Sequence, residues 1–183
     1  MALSRLITAV SPGEYLEAEK DAEVRHEYVC GEVYAMAGGS VAHNVITGNV
    51  ARLLGNAAAP TDCRVYASDM KVRVEEGLFY YPDVMVVCAP PADDYYETEP
   101  CVIVEVVSQS TSRKDRMEKR FAYLALGSLR LYLLVDSRQR AVTGFGRTPS
   151  GWEERVYGES EAVLIPCPEL ALTFSDIYHK VPR

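Results

Sequence analysis

Apolar and polar positions change their period several times along the chain, and each change marks an element. Ser11-Pro12-Gly13-Glu14 ahead of Tyr15-Leu16-Glu17-Ala18 predicts a helix start, with Ser11 as cap, Pro12 in the first turn and Glu14 three residues after the cap. Val24 to Cys30 and Glu32 to Met36, hinged at Gly31, read as a β-hairpin. Gly38-Gly39-Ser40 then opens a helix running to about Leu54, in which Val41, Val45, Ile46, Val50, Leu53 and Leu54 recur at helical spacing behind a Ser40 cap. The double glycine lacks the Gly-Lys-Ser/Thr ending of a phosphate loop and is read as a turn.

From Arg64 to Val87 the period becomes that of strands. Met70, Val72 and Val74 alternate with Lys71, Arg73 and Glu75, and a second strand follows Glu76-Gly77, which implies an antiparallel pair. Two later runs, Tyr80 to Val87 and Cys101 to Ser108, are dense in β-branched residues and nearly uninterrupted in apolarity, as buried strands are. Between them Pro90-Pro91-Ala92-Asp93-Asp94 begins an exposed loop. A charged helix from about Ser112 to Leu126, ended by Gly127, precedes another buried strand from Leu129 to Val135. Segments around Val142, Trp152 and Val163, punctuated by Gly and Pro, predict a β-meander that closes the sheet. The expected fold is α/β: a central mixed β-sheet flanked by helices with a C-terminal β-meander, in a single domain over residues 1–183.

Composition changes this picture little. With 183 residues, 48% of them hydrophobic and 25% charged, the chain is of ordinary globular make-up. A net charge of −7 argues against a general nucleic-acid coat but leaves room for a local basic groove. Cys30, Cys63, Cys88, Cys101 and Cys167 contain no CxxC pair, and their odd number argues against a complete disulfide framework, so buried free thiols and a cytoplasmic location are expected. No apolar run approaches the ~20 residues of a membrane span, and the chain shows neither a Gly-x-Ser-x-Gly elbow nor a dinucleotide fingerprint.

The candidate chemistry lies in two acids that interrupt the apolar runs: Asp83 in Tyr80-Tyr81-Pro82-Asp83-Val84 and Glu105 in Val104-Glu105-Val106. A desolvated carboxylate costs several kcal/mol unless it is protonated, paired or metal-bound. A shared cation explains two of them together, and a buried ion pair explains either alone.

The order of these strands, with Asp83 on one, Glu105 on the next, then a helix and the Leu131 to Val135 strand, resembles the PD-(D/E)XK nuclease superfamily of restriction-endonuclease-like fold. Pro82-Asp83 matches its first half-motif and Glu105 the second, 22 positions later. Within it the chain resembles a bacterial family of restriction-endonuclease-like proteins of poorly defined function. The resemblance is carried by His26-Glu27-Tyr28 with Gly31, Ala42-His43-Asn44, Ser68-Asp69-Met70-Lys71-Val72-Arg73, Tyr81-Pro82-Asp83-Val84, Val104 to Ser108 with Ser110-Thr111, and Asp115, Lys119 and Tyr123. It implies a magnesium-dependent endonuclease acting on nucleic acid, with DNA the expected substrate, Mn²⁺ able to substitute for Mg²⁺, and a homodimer. It also implies the metal ligands Asp83, Glu105 and the backbone carbonyl of Val106. Mg²⁺ prefers oxygen ligands, usually one or two carboxylates completed by water and substrate phosphate.

One position departs from the superfamily pattern. Its lysine would stand two residues after the Glu, where this chain has Val107. The resemblance to the closer family places the replacement at Lys119 on the following helix. Asp115, Lys119 and Tyr123 are spaced four apart and share a helical face, so all three are candidates to reach the strand ends.

Around them, Arg113, Lys114, Arg116, Lys119 and Arg120 concentrate five basic side chains. Arg113, Lys114, Arg116 and Arg120 read either as a landing site for phosphates or as a solvated helix face, with Asp115 and Lys119 as an i,i+4 ion pair. Glu27 is either a further metal-side acid or an exposed hairpin residue, and His43 either a substrate contact or a packed histidine. Asp69 is expected to form a structural salt link, with Lys71 and Arg73 sharing one strand face.

Overall fold

The computed structural model describes residues 9–107 and 113–182, and excludes the side chains of residues 113–116. Helix α1 (Pro12–Lys20) begins with the predicted capping box: the Glu14 N–H donates to Ser11 Oγ and the Ser11 N–H donates to the Glu14 carboxylate. Strands β1 (His26–Val29) and β2 (Glu32–Ala35) form the hairpin. Its two turn residues, Cys30 and Gly31, have φ of 49° and 99°, as a type I′ turn requires. Helix α2 (Val41–Ala58) starts at the Ser40 cap and runs four residues past Leu54, because Gly55-Asn56-Ala57-Ala58 continues the helix until Pro60 approaches.

Strand β3 (Arg64–Ala67) is followed by β4 (Lys71–Glu75), β5 (Leu78–Tyr80), β6 (Val84–Val87), the short β7 (Tyr96–Glu97) and the largely buried β8 (Pro100–Val107). Helix α3 (Arg113–Ala125) returns the chain to β9 (Leu131–Asp136), which lies parallel to β8 as a strand–helix–strand crossover demands. Strands β10 (Val142–Thr148), β11 (Gly151–Tyr157), β12 (Ala162–Pro166) and β13 (Glu169–Thr173) and the short helix α4 (Phe174–Ile177) complete the described chain.

The strands form mixed sheets, but not the single central sheet expected. One sheet has the order β2-β1-β5-β4-β7, a second the order β11-β10-β9-β8-β6-β3, and among the described residues β12 and β13 pair only with each other. The split falls inside the apolar run Tyr80–Val87: Pro82 offers no N–H to a ladder, so β5 ends in the first sheet and β6 begins in the second. The predicted meander holds for β10 and β11, which extend the second sheet antiparallel to β9. Its third segment, around Val163, instead joins a separate hairpin, because Pro166 and Pro168 bracket a turn rather than a break.

Side-chain alternation divides the core. On one face of the six-stranded sheet, Val84, Val86, Val102, Val104 and Val106 pack against Ile46, Val50 and Leu54 of α2 and against Val163, Leu172 and Phe174. On the other, Met85, Val87, Ile103 and Tyr132 share a cluster with Val72 and Tyr80 of the five-stranded sheet, with Tyr123 of α3 and with Leu126 just after that helix. Glu105 has the parity of Ile103 and therefore belongs to the side on which the two sheets and α3 meet. Rings run through this layer from Tyr80 to Tyr123 to Tyr132 to Phe145, at centroid separations of 5.6, 5.4 and 5.8 Å.

The cysteines differ from expectation. Cys63 is bonded to Cys88 and Cys101 to Cys167, and among the described residues only Cys30, exposed in the hairpin turn, is free. The pairs lie 25 and 66 residues apart, partners that spacing motifs do not reveal. Among the described residues no helix is long and apolar enough to cross a membrane.

Candidate active site

Four elements deliver acids and a lysine to the junction of the two sheets. Glu27 comes from β1, Glu105 from β8 and Lys119 from α3, while Asp83 sits in the Tyr81–Asp83 link just ahead of β6 rather than within a strand. Glu27 and Asp83 are buried, and the side chains of Glu105 and Lys119 are only 12% and 13% exposed.

Each acid has a definite partner. Asp83 accepts a 2.7 Å hydrogen bond at Oδ2 from the Val106 N–H, which ties the crossover to the strand next door, and its Oδ1 lies 3.1 Å from His43 Nε2. Glu105 accepts a 2.8 Å hydrogen bond from Tyr123 Oη. Lys119 Nζ is 2.6 Å from Glu27 Oε1, 4.0 Å from Glu105 Oε1 and 5.6 Å from the centroid of the Tyr80 ring. The Tyr81 N–H also donates to Glu27 Oε1, at 3.3 Å.

These contacts set the charge balance. Burial pushes the Glu105 carboxyl up to about 8; Lys119 opposes the rise, and Asp83 and Glu27 add to it. Burial, with Glu105 beside it, also holds the Tyr123 phenol well above its ordinary range, so that the hydroxyl remains a donor. The hydrogen bond to Asp83 raises the His43 imidazole. Three carboxyl groups thus face one ammonium and one histidine in a place largely closed to water.

The sequence-predicted residues divide accordingly. Asp83, Glu105, Val106, Lys119, Tyr123, Glu27 and His43 come together. Glu27 is buried rather than an exposed hairpin residue, because β1 is an inner strand with β2 and β5 on its flanks. The side chains of Arg113, Lys114, Asp115 and Arg116 lie outside the described residues, as does the segment 108–112. Arg120 places its guanidinium over Phe145 and Phe121, 5.3 and 5.5 Å from the ring centroids.

Asp69 makes the expected salt link, at 2.6 Å, with Arg25. Lys71 and Arg73, placed on one strand face, do not share an environment. Lys71 is buried against Tyr81, donating to its hydroxyl at 3.2 Å, and burial lowers the lysine's pKa, whereas Arg73 is exposed beside Tyr96. Sequence reasoning missed Tyr80 and Tyr81 as supports of the site. Tyr81 reaches both Glu27 through its N–H and Glu19 through its hydroxyl, contacts that depend on the sheet crossover and leave no mark on periodicity.

The fold is thus of mixed α/β class, with a buried acid-and-lysine cluster where its two sheets meet. Comparison with known proteins narrows the class: the chain belongs to the family described as "Uma2: Putative restriction endonuclease", whose pattern matches residues 12–177. It is 34% identical over 173 residues to the uncharacterized protein slr1290 of Synechocystis, covering 92% of this chain and 91% of that one. A second uncharacterized Synechocystis protein, sll1609, is 33% identical over 141 residues, covering 74% and 78%. A crystal structure of a "putative nuclease belonging to DUF820" from Anabaena variabilis superposes with a TM-score of 0.75 at 16% identity, covering 92% of this chain and 97% of that one, which establishes the shared fold.

Proposed function

We propose that the protein is a Mg²⁺-dependent endonuclease that hydrolyses phosphodiester bonds in nucleic acid, DNA foremost. The observation that carries this reading is the gathering of Glu27, Asp83 and Glu105 at the sheet junction, where Asp83 and Glu27 both act on the buried Glu105 carboxyl and Lys119 reaches Glu27 and Glu105. The donor set suits a hard divalent cation: all oxygen, rich in carboxylate, and containing an acid whose ionised form burial and two neighbouring acids disfavour. Asp83 and Glu105 would hold it, with the Val106 carbonyl and Glu27 as further oxygen donors. When bound, such an ion polarises the phosphodiester and makes water nucleophilic at neutral pH.

The chain's own residues prepare that chemistry. Val106 N–H and His43 hold the two oxygens of Asp83, and Tyr123 holds one oxygen of Glu105, which limits the rotamers each carboxylate can adopt. Lys119, anchored on Glu27 and still within 4.0 Å of Glu105, supplies the positive charge that Val107 cannot. Charge building on a phosphoryl oxygen in the transition state is stabilised by that ammonium. A homodimer would bring two such sites to the two strands of a duplex.

A second reading rests on the 2.6 Å Lys119–Glu27 pair: a lysine committed to Glu27 leaves a nucleic-acid binder that cleaves weakly. Supercoiled, linear and single-stranded DNA incubated with the protein in Mg²⁺, Mn²⁺ or chelator separates the two. Cleavage that needs the metal and is lost in Asp83→Asn and Glu105→Gln supports the nuclease; Mg²⁺-dependent binding without product supports the binder. Indifference to both metal and DNA would overturn both.

A further inference from the structure

We infer that the protein has a second, soft-metal site in its reduced state: Cys63, Cys88, Cys101 and Cys167 together form a tetrathiolate site for Zn²⁺. Four of the chain's five cysteines meet at one place, although they lie far apart in sequence. Cys63 immediately precedes β3 and Cys88 immediately follows β6, so the antiparallel register of these strands brings them opposite each other. Cys101 stands near the start of β8, where the β6 pairing shifts register, and Cys167 lies in the turn of the β12–β13 hairpin.

Three of the sulfurs are already close enough to share an ion, and the fourth, Cys63 Sγ, is bonded to one of them. Cys88 Sγ and Cys101 Sγ, which belong to different disulfides, are 3.7 Å apart, and the sulfurs of Cys88, Cys101 and Cys167 all lie within 4.8 Å of one another. With a Zn–S bond of about 2.3 Å, the edge of a ZnS₄ tetrahedron is roughly 3.8 Å, so the approach between the pairs already has the length of a tetrahedral edge. Opening the two disulfides lets each pair separate toward the same spacing by rotation about its Cα–Cβ bonds.

The surroundings favour a soft ion over a hard one. Cys101 belongs to the core cluster on the α2 face of the large sheet, and Cys63, Cys88 and Cys167 pack against that cluster. Thiolate ligands select zinc or another thiophilic ion, whereas Mg²⁺ takes oxygen. The site is separate from the acids: Cys101 and Glu105 are four residues apart on β8, about 13 Å at ~3.3 Å per residue. Its structural role follows from the topology. Among the described residues the β12–β13 hairpin shares no ladder with either larger sheet and is held to the six-stranded sheet by side-chain packing, through Val163, Ile165 and Leu172. A zinc ion held by Cys167 together with Cys63, Cys88 and Cys101 would pin that hairpin to the six-stranded sheet.

Two equivalents of a dithiol or phosphine reductant deliver four electrons to the two disulfides, which take up four protons and become four thiols. Zn²⁺ then displaces the four thiol protons to solvent as four Zn–S bonds form.

The test uses full-length protein, reduced by a phosphine under anaerobic conditions, freed of metal by chelation, and titrated with Zn²⁺ and with Co²⁺. We expect stoichiometric zinc and the intense visible and charge-transfer bands of tetrahedral cobalt thiolate. Zinc should also protect four of the five thiols from alkylation, with Cys30 remaining reactive. Cys167→Ser and Cys101→Ser should lose the cobalt bands while Cys30→Ser and Asp83→Asn retain them. The inference is overturned if the reduced wild-type protein takes up no zinc, if zinc protects no thiols, or if the two cysteine variants bind Co²⁺ with an unaltered spectrum. Wild-type protection is informative even where a core variant does not fold.

Discussion

Glu105→Gln isolates the cost of the buried acid. The substitution keeps the shape of the side chain and an acceptor for Tyr123 Oη, but removes ionisation. In metal-free protein the Glu105 carboxyl titrates near 8 in the fold, against 4.5 for an ordinary Glu. Because the folded value is the higher one, the fold binds this proton more tightly than the unfolded chain. The stabilisation is complete below about 4.5 and is lost as pH rises through about 8. Linkage between those two values gives a loss of roughly 3–4 kcal/mol between pH 5 and pH 8.

For a chain of this length that loss corresponds to a fall in Tm of roughly 10 °C. Calorimetric or fluorescence melting of both proteins in chelator at several pH values measures it together with the response of its coupled neighbours Lys119, Asp83 and Glu27, while titrating groups remote from Glu105 cancel in the difference. We expect the wild type to lose stability over that window relative to Glu105→Gln, and millimolar Mg²⁺ at pH 7.5 to restore it in the wild type alone. Parallel pH profiles within about 0.5 kcal/mol would show that the carboxyl is not desolvated. Equal responses of both proteins to Mg²⁺ would remove Glu105 from the metal site.

The other expectations concern its neighbours. Lys119→Met should leave Mn²⁺ affinity intact and reduce cleavage by roughly 10² or more; near-native turnover would dismiss Lys119 from the mechanism. Tyr123→Phe removes the 2.8 Å hydrogen bond to a buried carboxyl and should cost about 1–3 kcal/mol in denaturant unfolding at pH 7; an unchanged midpoint would show that Glu105 is satisfied without it. Replacing Arg113, Lys114 and Arg116 by Gln should flatten the salt dependence of DNA binding by up to ~0.9 in log–log slope for each phosphate no longer neutralised. An unaltered slope would assign them to solvent.

Much of this was legible in the sequence where chemistry is local. The Ser11–Glu14 capping box, the hairpin hinge at Gly31 and the Ser40 cap each depend on residues within a few positions of one another, and all are present, although the turn also takes in Cys30, read as strand. The acids were legible for a different reason: a carboxylate in an apolar run stands out whatever surrounds it. The partners were less so. Lys119 and Tyr123 could be placed on one helical face, but only the crossover geometry shows that Lys119 sits nearer Glu27 than Glu105. The division into two sheets, the β12–β13 hairpin and the cysteine pairs are long-range pairings, and periodicity reports which face is buried without saying against what.

The Tyr81–Asp83 link joins the two sheets, with Glu27 on one side of it and Glu105 on the other. The acids therefore come from two sheets that share one core cluster, so their spacing depends on how those sheets pack. A cation that draws them together acts on the packing of Val72 and Tyr80 against Met85, Val87 and Ile103. By reciprocity, altering that remote packing alters metal affinity without touching a ligand. If the proposed cation binds there, the site would act as a gauge of how the two sheets pack, tuned by core residues as well as by the acids themselves.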